Sequence, residues 1–170
     1  MIRVPEVADY EQWANLRLES RDFLVPWEPV WPANDLTRPA FRIRIRQYWR
    51  DIDDDQAYPY FIFDPSGSRL YGALTLSNVR RGVAQTGTLG YWIGAPHARQ
   101  GYMTAAVELI LSFAFQHLAL HRVEAACLPH NAASIALLER SGFEREGLAR
   151  GYLRIAGVWQ DHVLFAKLAS

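Results

Sequence analysis

Cysteine is almost absent from this chain of 170 residues, because Cys127 is the only one. A single cysteine excludes a disulfide within the chain and any metal site built on a cysteine cluster. Cys127 lies in an apolar stretch, which favours a small buried residue over a reactive nucleophile. The five histidines include no closely spaced ligand pair with carboxylates on one helix face, so no metal site is predicted.

Net charge is also missing, since 18 basic residues balance 18 acidic ones. Bulk attraction to nucleic acid or to an anionic membrane is therefore not indicated. No apolar run is long enough to span a bilayer, and the N-terminus lacks the apolar core of a signal peptide. We expect a soluble, cytoplasmic protein without a nucleic-acid or membrane partner.

Two catalytic motifs are absent as well. The chain contains no Gly-x-x-x-x-Gly-Lys-Ser/Thr loop and no Gly-x-Ser-x-Gly elbow, which disfavours nucleotide hydrolysis and serine hydrolase chemistry. What the chain does contain is a 50% hydrophobic composition, enough for a sizeable core. Its length predicts one domain that spans residues 1–170.

Hydrophobic periodicity and turn signals predict the order of the secondary structure. Strands are predicted at residues 1–4, 58–63, 70–78, 86–93, 121–128, 144–152 and 158–168. Helices are predicted at residues 9–21, 37–52, 101–118 and 131–140, with Thr37 and Asn131 as N-caps and Gly142 as a C-terminal stop. This order indicates an α/β (α+β) fold, in which helices cover both faces of a mixed sheet.

The segment from Phe23 to Asn34 is dense in proline, and Trp27 and Trp31 lie between Pro26, Pro29 and Pro32. Prolines at this density exclude a regular helix or a central strand. A stiff loop that presents tryptophans buries apolar area at a low entropic cost. The segment is predicted to cover the core or to form the wall of a binding site.

An apolar strand that ends at Gly94 is followed by a polar turn and by a long amphipathic helix that Gly101 opens. A helix start offers unpaired N–H groups and the positive end of the helix dipole, and a glycine there lets a phosphate approach the backbone. Arg99 adds a fixed positive charge. The pattern is typical of an anion site, although an ordinary strand-to-helix turn is the alternative.

This segment resembles the coenzyme A pyrophosphate loop of the GCN5-related N-acetyltransferases (GNAT), whose pattern is Gln/Arg-x-x-Gly-x-Gly/Ala. Ala98 and Met103 depart from that pattern, whereas Gly101 matches its central glycine. Pro26-Trp27-Glu28-Pro29 and Asp161-His162 are similar to the RimJ-like branch, the ribosomal-protein-alanine N-acetyltransferases. The similarity extends over nearly the whole chain.

The resemblance implies the GNAT fold, with a mostly antiparallel central sheet of about seven strands. It also implies transfer of an acetyl group from acetyl coenzyme A (acetyl-CoA), without a metal, by direct attack of an amine in a ternary complex. The implied acceptor is a protein N-terminal α-amine, such as the N-terminal alanine of a ribosomal protein. A small-molecule amine and a non-catalytic CoA-binding module remain alternatives, and a monomer and a homodimer are both compatible.

The resemblance further assigns residues to the cofactor. The predicted CoA-binding residues are Trp92, Ile93, Arg99, Gln100, Gly101, Tyr102, Met103, Thr104, Asn131 and Ser134. Ser134 is the predicted catalytic acid, which would protonate the leaving thiolate. A purely structural role in the start of the helix is open for both Asn131 and Ser134.

The sequence defines the binding site of the acceptor less closely than that of the cofactor. Trp27, Glu28, Trp31 and Tyr152 are predicted to wall the acceptor groove. Glu28 is the predicted catalytic or amine-binding carboxylate, because Trp27 could desolvate it and because it carries the only charge in its loop segment. Asp161, His162 and His130 are alternative bases, and each of these groups could instead be structural.

Overall fold

The computed structural model describes residues 1–170, in which seven strands form one sheet of order β1-β2-β3-β4-β5-β7-β6. The strands are β1 (Ile2–Arg3), β2 (Tyr58–Phe63), β3 (Leu70–Arg80), β4 (Thr86–Ile93), β5 (Arg122–Cys127), β6 (Glu144–Ile155) and β7 (Val158–Leu168). Only β4 and β5 are parallel neighbours. The predicted mixed, mostly antiparallel sheet of seven strands is confirmed.

Helices cover both faces of the sheet, as predicted. They are α1 (Tyr10–Glu19), α2 (Arg21–Leu24), α3 (Arg38–Asp53), α4 (Tyr102–Ser112) and α5 (Ala132–Arg140). Successive residues of a strand point to opposite faces, and Ala73 and Leu74 of β3 accordingly belong to two separate buried clusters. Ala73 packs with α1 and α3, whereas Leu74 packs with α4 and α5.

The parallel pair of strands separates after a short start. Strand β4 pairs with β5 only through Thr86, Gly87 and Thr88. Beyond that point β4 continues beside β3 alone, while the rest of β5 pairs with β7. A gap therefore opens in the sheet between the second half of β4 and the second half of β5.

The predicted caps are confirmed. Thr37 accepts a hydrogen bond from the N–H of Ala40 at 3.4 Å, and Asn131 accepts one from the N–H of Ser134 at 3.2 Å. Gly142 follows α5 with a left-handed φ of 81°. These short-range signals fixed the ends of the two helices because a cap needs only its own local side chain or backbone freedom.

The segment 23–34 contains no long helix and no strand, as predicted, although α2 ends in it and leads into the 3-10 turn Val25–Trp27, whose first positions tolerate Pro26. Two local predictions were wrong in part. The predicted helix 101–118 is α-helical only to Ser112 and ends in the π-type turn Phe113–His117. Strand β6 runs on to Ile155, three residues past its predicted end.

Helical spacing predicts one apolar face on α3, and one of its residues lies outside the core. The predicted face consists of Phe41, Ile45, Tyr48, Trp49 and Ile52. Phe41 and Ile45 are buried, but Trp49 is 48% exposed. Trp49 follows Phe41 by eight residues, which amount to two full helical turns and about 80° more. Its side chain therefore points away from the buried face on which Phe41 lies. None of the helices combines the length and the apolar surface that spanning a membrane requires.

Candidate active site

The loop between β4 and α4 presents a row of free backbone donors. None of the six N–H groups from Arg99 to Thr104 donates a hydrogen bond to a backbone or side-chain group of the protein. The first turn of a helix cannot satisfy its own N–H groups, and here no capping side chain does so. With the guanidinium of Arg99 exposed and without an ion-pair partner, this cradle, residues 99–104, is suited to a diphosphate.

Left-handed backbone at two positions shapes the cradle. Gly101 has a φ of 81° and Arg99 a φ of 61°. A Cβ added at Gly101 would meet no protein atom within 4 Å, so protein packing does not require glycine there. The left-handed φ favours glycine at this position, and the missing side chain leaves open space at the start of α4.

Helix α1 is fixed to the start of this loop. The side chain of Leu16 lies so close to Gly94 that a Cβ there would come within 2.4 Å of it. Buried Ser20 accepts a hydrogen bond from the N–H of Ala95 at 2.9 Å. The end of β4 therefore connects the cradle directly to the helix on the opposite face of the sheet.

The gap beside β4 exposes main-chain groups. The N–H of Gly94 donates to the carbonyl of Tyr71 on β3 at 2.8 Å. Along an antiparallel pair of strands, hydrogen-bonded and non-hydrogen-bonded residue pairs alternate. Trp92, which lies opposite Ala73 and two residues before Gly94, is therefore also hydrogen-bonded to β3. The main-chain groups of Tyr91 and Ile93 then face the gap, where an extended ligand arm could pair with them.

Ser134 lies at the start of α5 and is linked across the gap to β4. Its hydroxyl is 2.5 Å from the hydroxyl of Tyr91, and its N–H is bound by the side chain of Asn131. Burial raises the pKa of Tyr91 to about 12, although the hydrogen bond to Ser134 works against that rise. Tyr91 is therefore neutral at ordinary pH and can supply a proton to a hydrogen bond with Ser134.

Cys127 is buried at the end of β5, near Ser134. Burial raises the pKa of its thiol, and the hydroxyl of Ser134 offsets part of this rise. A thiol that is held protonated in an apolar setting is a poor nucleophile. The structure agrees with the expectation of a buried, unreactive cysteine.

Glu28 forms an ion pair that the sequence did not predict. Arg17 of α1 donates to both carboxylate oxygens at 2.7 Å, and the indole N–H of Trp31 donates to Oε2 at 2.6 Å. The side chains of Arg17 and Glu28 are only 9% and 19% exposed. These three hydrogen bonds hold the carboxylate in an ion pair with Arg17, and the predicted role of Glu28 in acceptor binding or catalysis stays a prediction.

The guanidinium of Arg17 also lies between two tryptophans. Its central carbon is 4.2 Å from the ring centre of Trp31 and 4.9 Å from that of Trp92. Its Nε is buried without a hydrogen-bond partner, which fits cation–π contact with the ring faces. The side chain of Trp92, which the sequence assigned to the cofactor, thus lies on the α1 side of the sheet.

A cavity of about 270 Å³ opens on the same side, between α1, α3 and the strands β3 and β4. Gly90, Tyr91 and Trp92 form its floor on β4, and Arg17, Glu28 and Arg44 contribute its charged groups. Tyr91 therefore borders the cavity while its hydroxyl contacts Ser134 across the gap. We refer to this space as the acceptor-side cavity, because Glu28, one of the predicted acceptor residues, borders it.

The other predicted acceptor residues lie outside this cavity. Trp27 packs against His130 with ring centres 5.3 Å apart, and Tyr152 packs against His162 at 5.7 Å. The ring of Trp31 covers Arg17 instead. Of the four predicted wall residues, only Glu28 borders the cavity.

The alternative bases are distributed over two elements. Asp161 accepts a hydrogen bond from the N–H of Gly151, which gives it a role in the β6–β7 hairpin. Imidazole Nδ1 of His162, which is buried, is 3.0 Å from the carbonyl of Gln160. His130 is exposed against Trp27. None of the three borders the cavity.

A family comparison covers most of the chain. Residues 1–144 match the model of the Acetyltransferase (GNAT) domain. The chain is 38% identical over 167 residues to the Bacillus subtilis (strain 168) protein named Probable N-acetyltransferase YjcK, covering 98% of this chain and 92% of that protein. It is 36% identical over 162 residues to the [Ribosomal protein uS5]-alanine N-acetyltransferase of Escherichia coli (strain K12), covering 94% and 84%.

A solved structure also supports membership of this family. Mycobacterium smegmatis RimJ in complex with CoA-disulfide superimposes with a TM-score of 0.93 at 30% identity. The superposition covers 99% of this chain and 81% of that one. That relative is in complex with a CoA derivative, and its fold is the one described above.

Proposed function

The chain belongs to the GNAT acetyltransferase family, in its RimJ-like branch, and is an N-acetyltransferase. From this premise we propose that it transfers the acetyl group of acetyl-CoA to a protein N-terminal α-amine, such as the N-terminal alanine of a ribosomal protein. The observation that carries the proposal is the row of six unpaired N–H groups in the cradle, residues 99–104, beside the gap between β4 and β5.

The residues of the chain fit acetyl-CoA. The cradle and Arg99 would hold the diphosphate, and the main chain of Tyr91 and Ile93 would pair with the pantetheine arm in the gap. Bound there, the molecule supplies an activated acetyl thioester. The gap passes through the sheet between the cradle side and the acceptor-side cavity, so that the two substrates can approach from opposite faces.

The transfer itself forms an amide bond and breaks the carbon–sulfur bond. The amine attacks the thioester carbonyl directly while both substrates are bound, and one amine proton ultimately resides on the thiol. Ser134 donates a hydrogen bond to the leaving sulfur, and the neutral hydroxyl of Tyr91 orients Ser134 for this donation. The side chain of Asn131 helps by capping α5 where Ser134 lies.

Replacing Ser134 with alanine should lower turnover by about tenfold while the affinity for CoA stays nearly unchanged. The reason is that the hydroxyl acts only as the sulfur leaves, whereas the cradle supplies the binding. Turnover at saturating acetyl-CoA and calorimetric titration with CoA measure the two quantities. If turnover equals that of the wild type, Ser134 has only a packing role at the start of α5.

The acceptor is tested by incubating the protein with isotope-labelled acetyl-CoA and total ribosomal protein, and by locating the label with mass spectrometry. We expect the label on the α-amine of an N-terminal residue, with alanine prominent. Label that appears only on lysine side chains, or on an added small amine and on no protein, would contradict the proposed acceptor.

A further inference from the structure

The acceptor-side cavity is bordered by two arginines, Arg17 and Arg44, and by one carboxylate. Glu28 is its only carboxylate, and both of its oxygens are already bound by Arg17 and Trp31. Tyr48 and Thr75 also border this space, and their hydroxyls make no hydrogen bond with the protein. Polar groups in a half-buried cavity favour a ligand that satisfies them.

Arg44 adds a cation to this cavity. One of its terminal nitrogens, Nη2, donates to Asp35 at 2.6 Å, and its central carbon lies 5.2 Å from the ring centre of Trp13. Its other N–H groups make no hydrogen bond with the protein. Its side chain is 36% exposed, so the guanidinium is only partly solvated. An arginine with a free edge in a confined space selects a carboxylate over a second cation.

We infer that the acceptor-side cavity binds a carboxylate that the acceptor carries close to its amine, through Arg44, Tyr48 and Thr75. This inference rests on the proposed function, because the cavity borders Tyr91, whose hydroxyl contacts Ser134. The carboxylate can come from an acidic side chain in the first residues of a peptide or from the α-carboxylate of a free amino acid. In both cases a lysine side chain would be excluded by Arg44 and by the occupied Glu28.

A peptide panel tests this inference. Peptides that begin with alanine carry glutamate, glutamine or lysine at the second or the third position and are otherwise identical. At one of these two positions, kcat/KM should be highest for the glutamate peptide, lower for the glutamine peptide and lowest for the lysine peptide. We expect the glutamate and lysine peptides to differ by about tenfold or more, and tenfold is equivalent to about 1.4 kcal/mol. Equal kcat/KM values at both positions would overturn the inference.

Variants of the cavity identify the residues responsible. Arg44→Glu should reverse the preference from glutamate to lysine, whereas Arg46→Glu on the exposed side of the same helix is the matched control and should leave it unchanged. Because Arg44→Glu also removes the partner of Asp35, the smaller changes Tyr48→Phe and Thr75→Val provide a second measurement. Each should reduce the glutamate preference without altering the affinity for CoA, and an unchanged preference in all three cavity variants would refute the site.

Free acidic amino acids separate the two sources of the carboxylate. Turnover of glutamate or aspartate but of no peptide would assign the site to small acceptors, which contradicts the proposed protein acceptor and supports the inference about the cavity. If no acceptor is turned over, the proposed function fails by itself. Calorimetry of the same peptides with the CoA-bound protein then decides the inference, because carboxylate-dependent affinity supports it and equal affinity refutes it.

Discussion

Replacing Glu28 with glutamine should lower the free energy of unfolding by about 3 kcal/mol, because the change leaves the charge of Arg17 buried without its partner. In a chain of this size that loss corresponds to a fall in Tm of about 6 to 12 °C. We expect the KM for the acceptor to rise and kcat per folded molecule to change little, because the loop that carries Trp31 is loosened. Affinity for CoA should not change.

The ion pair between Arg3 and Asp9 provides a matched control. It is also bidentate, with distances of 2.9 and 2.6 Å, and Asp9 is buried, but the pair does not border the acceptor-side cavity. Asp9→Asn should therefore reduce Tm without raising the KM for the acceptor. A Glu28→Gln variant with an unchanged Tm and a kcat reduced by about a hundredfold would instead identify Glu28 as the general base.

Gly101→Val should raise the dissociation constant for CoA by at least about tenfold, equivalent to about 1.4 kcal/mol. Two effects contribute to the loss. A branched residue resists the φ of 81° at this position, and its side chain would occupy the open space above the N–H groups of the cradle. Calorimetric titration of the folded variant with CoA measures the change.

Gly82→Val separates backbone strain from ligand contact. Gly82 has a φ of 63°, and a Cβ there would also meet nothing within 4 Å, but it lies in the turn before β4, at the opposite end of that strand from the cradle. We expect Gly82→Val to lower the free energy of unfolding about as much as Gly101→Val does, but to leave the affinity for CoA unchanged. Equal losses of affinity in the two variants would show that strain, and not the cradle, weakens binding.

The sequence predicted the sheet and its helices well because their signals are local. Alternation of apolar residues, the caps Thr37 and Asn131 and the glycine after α5 each depend on a few neighbouring residues. The cradle was predicted for the same reason, since Gly101 and the residues around it are consecutive. The end of α4 depends on tertiary packing, which periodicity measures only approximately, whereas the exposure of Trp49 follows from its angle of about 80° to Phe41 around the axis of α3.

The acceptor side could not be predicted in this way. Arg17, Glu28 and Trp92 come from α1, from a loop and from β4, and no spacing in the sequence indicates that they meet. The hydroxyl of Tyr91 likewise reaches Ser134 from 43 positions away, and no local pattern in the sequence relates the two residues. The one available signal was the presence of an arginine on the helix that precedes the proline-rich loop, and that signal is weak.

We propose that the six N–H groups of Arg99 to Thr104 bind the diphosphate of CoA. Amide-resolved NMR during titration with CoA tests this claim, because each of these N–H groups gives its own signal. We predict that the amide signals of residues 99–104 shift most and that their hydrogen exchange slows, while the amides around Gly82 stay unchanged. Saturable binding of CoA that leaves the signals of residues 99–104 in place would contradict the claim.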